Sequence, residues 1–221
     1  METLAKLLGG QTRVKIMRLF LMNPTDGYDF AMVRERTKGS SSSVKKDLSH
    51  LATLGFLKKK NIMKPVVVKG PAKASSAHGV KKTRTKKVAG YVLNENFKYL
   101  AQMKELLVGS EFVHKDDLLG RFRKAGKIKF LAVAGVFTNS PESRLDAMIV
   151  ADKPNTAALE RIIKSLEAEV GKELAYAFFP TKEFIYRAEM YDKLIYDMFD
   201  FPHETLLDTE QFSTQLLRKR F

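Results

Sequence analysis

The stretch from Gly39 to Lys60, GSSSSVKKDLSHLATLGFLKKK, limits the fold more than any other part of the chain. Its four serines, Ser40 to Ser43, are of the type that caps a helix by accepting a free backbone N–H. Val44, Leu48, Leu51 and Leu54 follow at spacings of four, three and three, which predicts the inward stripe of an amphipathic helix. On a helical wheel Ser42, Lys46, Ser49 and Thr53 fall opposite that stripe, with Lys45 and His50 on its flanks. The outer face is small, polar and basic, and suits a helix pressed against DNA. Gly55 stops the helix, and Phe56-Leu57 followed by Lys58-Lys59-Lys60 predicts entry into a strand. Taken alone, such a face is equally the solvated side of an ordinary surface helix.

The flanking sequence decides between these. Upstream, the apolar pattern predicts a helix from about Thr12 to Met22, after a break at Gly9-Gly10, and Asn23 to Gly27 has the composition of a turn. A second helix follows Tyr28-Asp29 with Phe30, Met32 and Val33, ending near Thr37 to Gly39. Two helices joined by a short glycine-containing turn, the second with an exposed basic face, outline a helix-turn-helix. Downstream, Phe56 to Lys58 and Val88 to Leu93 read as paired strands, with Pro65 to Val68 as a third β-prone run. No acidic residue occurs from Leu48 through Asn94, while eleven bases lie between Lys58 and Lys87. A hairpin after a recognition helix is a wing. This one is long and basic, and its Gly70 to Lys87 tract also has the composition of a linker. Its cations would neutralise phosphates, giving salt-dependent and largely sequence-blind affinity.

Residues 1–94 resemble a winged helix-turn-helix domain of prokaryotic transcription regulators. LSHLATLGFLKKK, Leu48 to Lys60, is similar to the family pattern in which Leu-x-x-Leu-x-x-x-Gly-hydrophobic-hydrophobic ends the recognition helix and enters the wing. The resemblance implies double-stranded DNA as partner, with the Ser41–Thr53 helix in the major groove and the wing on flanking backbone or minor groove. The implied DNA-binding residues are Ser41, Ser42, Ser43, Lys45, Lys46, Ser49, His50 and Thr53 on the helix. On the wing they are Lys58, Lys59, Lys60, Lys69, Lys81, Lys82, Arg84, Lys86 and Lys87. Operators are usually read by dimers, so a homodimer is expected. No aromatic residues interleave the basic face, as single-strand RNA readers require.

Charge is distributed to match. The chain carries +14, but residues 1–94 hold 20 Lys/Arg against 5 Asp/Glu and residues 95–221 hold 19 against 20. One half therefore offers a surface for nucleic acid or an anionic membrane. No cysteine is present, which excludes disulfides, thiolate nucleophiles and zinc–thiolate sites and fits a reducing compartment. Met1-Glu2-Thr3 lacks the basic and apolar regions of a secretory signal, and the longest apolar run, Phe130 to Phe137, is too short to span a bilayer. The expected location is cytoplasmic, without membrane contact.

Phe97 to Leu107 and Lys115 to Lys124 read as linking helices. They divide the chain into residues 1–94, a 95–126 link and a second domain at 127–221. In that domain Ile128 to Ala134, Ser143 to Val150 and Leu174 to Phe179 read as strands. A helix carries Leu159, Ile162, Ile163, Leu166 and Val170, and C-terminal helices start at Thr181. The whole is α+β, its second part an α/β domain. From Ile128 to Leu207 this order resembles the minimal nucleotidyltransferase fold. In that family a Gly-Ser turn cradles the triphosphate and a Ser-Asp-x-Asp pattern holds two metal ions. Here the corresponding positions are Gly135-Val136 and Ser143-Arg144-Leu145-Asp146, so Arg144 stands where the first metal carboxylate belongs. Two-metal chemistry needs several carboxylates to hold cations about 4 Å apart. One Asp beside a guanidinium cannot supply them, and Arg144 is expected to pair with Asp146 or another acid. The resemblance therefore implies a degenerate domain in which Gly135, Ser143, Arg144 and Asp146 are vestigial, with no cofactor, metal or catalysis.

Other candidates are weaker. His50, His78, His114 and His203 lack metal-ligand spacing, and Ser40 to Ser43 have no neighbouring base. The aromatic group from Phe178 to Phe201 reads as core or subunit interface. The expected function is a DNA-binding transcription regulator whose second domain dimerises or senses a small-molecule or protein effector. The alternatives are a nucleotidyltransferase that uses the first domain to find its substrate, or an antitoxin-like partner-binding protein.

Overall fold

Helices α1 (Glu2–Leu7) and α2 (Gln11–Met22) meet at Gly9-Gly10, where the sequence predicts the break. The computed structural model describes residues 2–67, 83–108, 115–140 and 142–214. After α2 comes a two-residue strand absent from the sequence expectation, β1 (Gly27–Tyr28). Helix α3 (Phe30–Thr37) begins at Asp29, whose carboxylate accepts the Met32 N–H at 2.8 Å. Helix α4 (Ser41–Thr53) begins at Ser40, whose hydroxyl accepts the Ser43 N–H at 3.2 Å. Strands β2 (Leu57–Val67) and β3 (Thr83–Leu93) pair antiparallel from Leu57 opposite Leu93 to Val67 opposite Thr83. Pro65 to Val67 therefore continue β2 and do not form a third strand. β1 covers only Tyr91 and Val92 of β3. Outward from Gly90 the ribbon has two strands and extends roughly 25 Å at ~3.3 Å per residue.

The apolar stripe of α4 packs Val44, Leu48 and Leu51 against Val14, Leu19 and Phe20 of α2, Val33 of α3, and Phe56, Leu57 and Leu93. Leu54, expected to complete the stripe, is 56% exposed instead. At 100° per residue it falls roughly 90° from the stripe's centre, on the border of the buried face. Its place inside is taken by Asp47, 6% exposed.

Helix α5 (Leu100–Val108) packs on this first core, with Leu107 fully buried, whereas α6 (Lys115–Arg123) places Leu118 and Phe122 in a second one. The chain then forms β4 (Ile128–Val133), a single 3-10 turn (Gly135–Phe137), β5 (Ala147–Ala151), α7 (Thr156–Val170), β6 (Tyr176–Phe179), α8 (Thr181–Glu189), α9 (Lys193–Asp200) and β7 (Glu204–Asp208). The sheet order is β6-β5-β4-β7, with β5 and β6 parallel and the other pairs antiparallel. Leu131, Val133, Ala147 and Ile149 face α6 and α7, while Phe130, Ala132, Met148 and Val150 face α8 and α9. Because both faces are covered, β4 from Phe130 onward and β5 read as unbroken apolar runs. The expected second strand is shorter than predicted: Ser143 to Asp146 form its approach, outside the ladder. β7 was missed, because its half-buried residues at the sheet edge show no alternation.

The protein is thus α+β, with two sheets and helices on each. Among the described residues no helix is long and apolar enough to cross a membrane.

The two cores meet where the end of α7 lies on α2. Gly171 caps α7 at φ +88°, and a Cβ there would sit 2.6 Å from the backbone carbon of Arg18 and the nitrogen of Leu19. Asn23 Nδ2 donates to the carbonyls of Leu19 and Gly171, both at 2.7 Å. Arg18, 1% exposed, donates from Nε to the Leu107 carbonyl at 2.9 Å and from Nη1 to the Glu169 carbonyl at 3.1 Å. Burial pushes its guanidinium down to about 10, against the favourable charge of Glu169. Nothing in the local sequence singles Arg18 out.

Candidate nucleic-acid interface

Asp47 is the one acid on α4, and its orientation sets the charge of the exposed face. Its carboxylate lies between α2 and α4, where Arg13 donates from Nε at 3.1 Å and Nη2 at 2.9 Å to the same Oδ1. Charge-assisted pairs of this kind are strong because the donors are ionised and their geometry is fixed. The pair fastens α4 to α2 and removes the negative charge from the outer face. What remains exposed is Ser41, Ser42, Lys45, Lys46, Ser49, His50 and Thr53.

Some of the serines are partly committed. Ser43 is half-buried, and its hydroxyl accepts from Ser40 Oγ at 2.9 Å, so it belongs to the cap more than to the face. Thr53 Oγ1 donates to the Ser49 carbonyl at 3.0 Å. Ser41 Oγ accepts from Arg34 Nη1 at 3.1 Å. Arg34 is exposed in the last turn of α3 and stands over the start of α4. The sequence reading missed it. Its only signal was a base two turns before Ser41, which gains meaning once the angle between α3 and α4 is known.

On the ribbon Lys58, Lys59, Lys60, Lys86 and Lys87 are exposed. Arg84 lies on β3 opposite Val66. Lys69, Lys81 and Lys82 lie outside the described residues, as do His78 and His114. Lys64 is directly opposite Lys86, an arrangement of like charges that destabilises a ladder. Lys64 is drawn aside to Asp29, Nζ to Oδ2 at 2.6 Å, which ties the ribbon to the N-cap of α3. Burial by itself would raise the Asp29 carboxyl. The Lys64 ammonium and the Met32 N–H outweigh it and hold the group below the ordinary carboxylate value.

Gly135, Ser143, Arg144 and Asp146 lie in the 3-10 turn and on the approach to β5. Asp146 is 4% exposed, and each of its oxygens takes a backbone N–H: Oδ1 from Val136 and Oδ2 from Ala175, both at 2.8 Å. It is a strut joining the 3-10 turn, β5 and the approach to β6. Gly135, at φ +54°, passes so close to Asp146 Oδ1 that a Cβ has no room. Ser143 Oγ donates to the Leu145 carbonyl at 2.7 Å. Arg144 turns to Asp197 of α9, with Nε 3.2 Å from Oδ2, and not to Asp146. The hollow beside Gly135 and Asp146 holds about 140 Å³, below the range of sites for drug-sized ligands. Among the described residues no three of His, Asp and Glu converge as metal ligands would.

The aromatic group divides. Phe179 and Phe184 are core, Phe184 lying 5.0 Å from the Phe212 ring, while Tyr186 and Tyr191 are each 63% exposed. His203 is exposed and contacts the Phe201 carbonyl.

No protein-family model matches the chain, and comparisons with curated proteins and with solved structures find no match either.

Proposed function

We propose that the protein is a duplex-DNA-binding transcription regulator. In this reading α4 enters the major groove as the recognition helix of a winged helix-turn-helix, and the β2–β3 ribbon lies along flanking backbone as its wing. Lys46, Ser42, Ser49 and His50 face base edges, while Arg34, Lys45 and the ribbon lysines hold phosphates. The second unit, built like a degenerate nucleotidyltransferase, acts without catalysis as a dimerisation or effector module. The observation that carries the reading is the acid-free exposed face of α4, produced by the inward turn of Asp47 onto Arg13. The non-catalytic role is supported by Asp146, whose oxygens serve the backbone, and by Arg144, engaged with Asp197.

The test is fluorescence anisotropy with duplex from upstream of the protein's own gene, against scrambled duplex, at two salt concentrations. A preference for the upstream duplex that survives higher salt is expected. Arg34, Lys45, Lys46, Lys58, Lys59, Lys60, Lys86 and Lys87 are all exposed. If six to eight such cations meet phosphates, the log–log salt slope is about −5 to −7. Lys46→Glu should abolish binding with an unchanged circular dichroism spectrum. Wild-type affinity in Lys46→Glu would remove α4 as the reading element, and equal binding to both duplexes would leave a sequence-blind binder.

A further inference from the structure

A cleft of about 460 Å³ separates α3 from the C-terminal end of α7, with Leu19 of α2 and Met32 in its lining. That volume falls within the range of small-molecule sites. Its rim brings Lys38, the C-cap of α3, together with Lys164 of α7 and Lys172 just beyond it. Three acids also line it, Glu35, Glu167 and Glu173, of which Glu35 is exposed on α3. Glu173 pairs with Arg36 at 2.6 Å, and Glu167 accepts the Leu174 N–H at 3.1 Å. Among the described residues, none of the three lysines has a carboxylate within ion-pair distance.

With Arg36 and Glu173 paired, three lysines face the two remaining carboxylates of Glu35 and Glu167, so the lining keeps one excess positive charge. Burial, followed by the like charges of Lys164 and Lys15, holds the Lys38 ammonium below the ordinary lysine value, although Glu167 and Glu169 oppose this. Cations that repel one another around a hollow are relieved by an anion bound between them. Lysine suits phosphate as a point charge without requiring fixed fork geometry.

We infer that the cleft between α3 and α7 binds a small phosphate-bearing anion, held by Lys38 from one side and by Lys164 and Lys172 from the other. The position has a consequence for α4. Lys38, in the left-handed conformation at φ +51°, directly precedes Gly39 and the Ser40 cap. An anion shared across the cleft ties the α3–α4 turn to the second unit and so biases the orientation of α4. This coupling rests on the DNA-binding reading, whereas the binding itself does not.

Isothermal titration of the full chain with inorganic pyrophosphate tests the site. Saturable one-site binding is expected, weakened about tenfold or more in Lys38→Ala/Lys164→Ala and unchanged in the ribbon control Lys59→Ala/Lys60→Ala. No saturation, or equal weakening in both double variants, overturns the site. Duplex anisotropy with and without pyrophosphate tests the coupling. An affinity change present in the wild type and the ribbon control but absent in the cleft variant supports it, and an unchanged affinity overturns it. A protein that binds no duplex at all fails the DNA reading, while the titration still decides the cleft.

Discussion

Replacing Asp146 by alanine removes the acceptor for two backbone N–H groups at once, those of Val136 and Ala175. Hydrogen bonds to a charged group contribute roughly 1.5–3 kcal/mol each. Val136 is half-buried but Ala175 is exposed, so one freed N–H regains water and the other only partly does. The expected loss is therefore about 2–4 kcal/mol, which for a chain of this size lowers Tm by roughly 5–15 °C. Asp146→Asn keeps one accepting oxygen and sets its amide N–H₂ against a donor, so it should lose a smaller amount. Thermal unfolding followed by circular dichroism, in chelator and again in millimolar magnesium, provides the assay. If Asp146 is a strut, each variant melts below the wild type, Asp146→Asn by less than Asp146→Ala, and neither margin changes between the two buffers. The reasoning is refuted if Asp146→Ala melts with the wild type. It is equally refuted if magnesium raises the wild-type Tm and not that of the variant, because the carboxylate would then be a metal ligand.

Gly171→Ala should destabilise by about 2–4 kcal/mol. The left-handed conformation costs an L-residue roughly 1–2 kcal/mol and the contact with the α2 backbone adds overpacking strain. Gly120→Ala, inside α6 with open space around it, is the control and should stabilise by up to about 1 kcal/mol in the same denaturant titration. Asp47→Ala leaves Arg13 without its carboxylate and should cost about 1–3 kcal/mol, of which Arg13→Met with Asp47→Leu recovers most; no recovery in the double variant would contradict the ion-pair account. The Asp29–Lys64 tie should be acid-sensitive. Asp29 is depressed in the fold, so its contribution is fully present above the unfolded carboxylate value, about 3.9, and is lost as pH falls through the lower folded value. The stability difference between wild type and Asp29→Asn, measured by denaturation at neutral pH and below pH 4, should shrink in acid. A constant difference would contradict this.

Much of the fold is local in origin and could be read directly. The cap at Ser40, the stripe Val44–Leu48–Leu51, the break at Gly9-Gly10 and the apolar runs of β4 and β5 all follow from neighbours within a turn or a pleat. The excess of positive charge in residues 1–94 is likewise a property of composition. Reading failed where a partner is distant along the chain. Leu54 and Asp47 exchanged places because Arg13, 34 residues away, offered the acid a better environment than solvent. Arg144 pairs with an acid, as expected, but only the fold identifies that acid as Asp197 of α9, and the two backbone N–H groups held by Asp146 likewise come from segments the local sequence does not connect. β7 pairs along the edge of β4, although Glu204 to Asp208 carry no alternating strand pattern. The sequence alone settled most of the helices, the apolar strands β4 and β5 and where the cations are concentrated, because periodicity and charge act over a few residues. The tertiary structure settled which charges are cancelled, which remain exposed and which line the α3–α7 cleft, because side-chain pairing depends on what folding brings within a few ångströms.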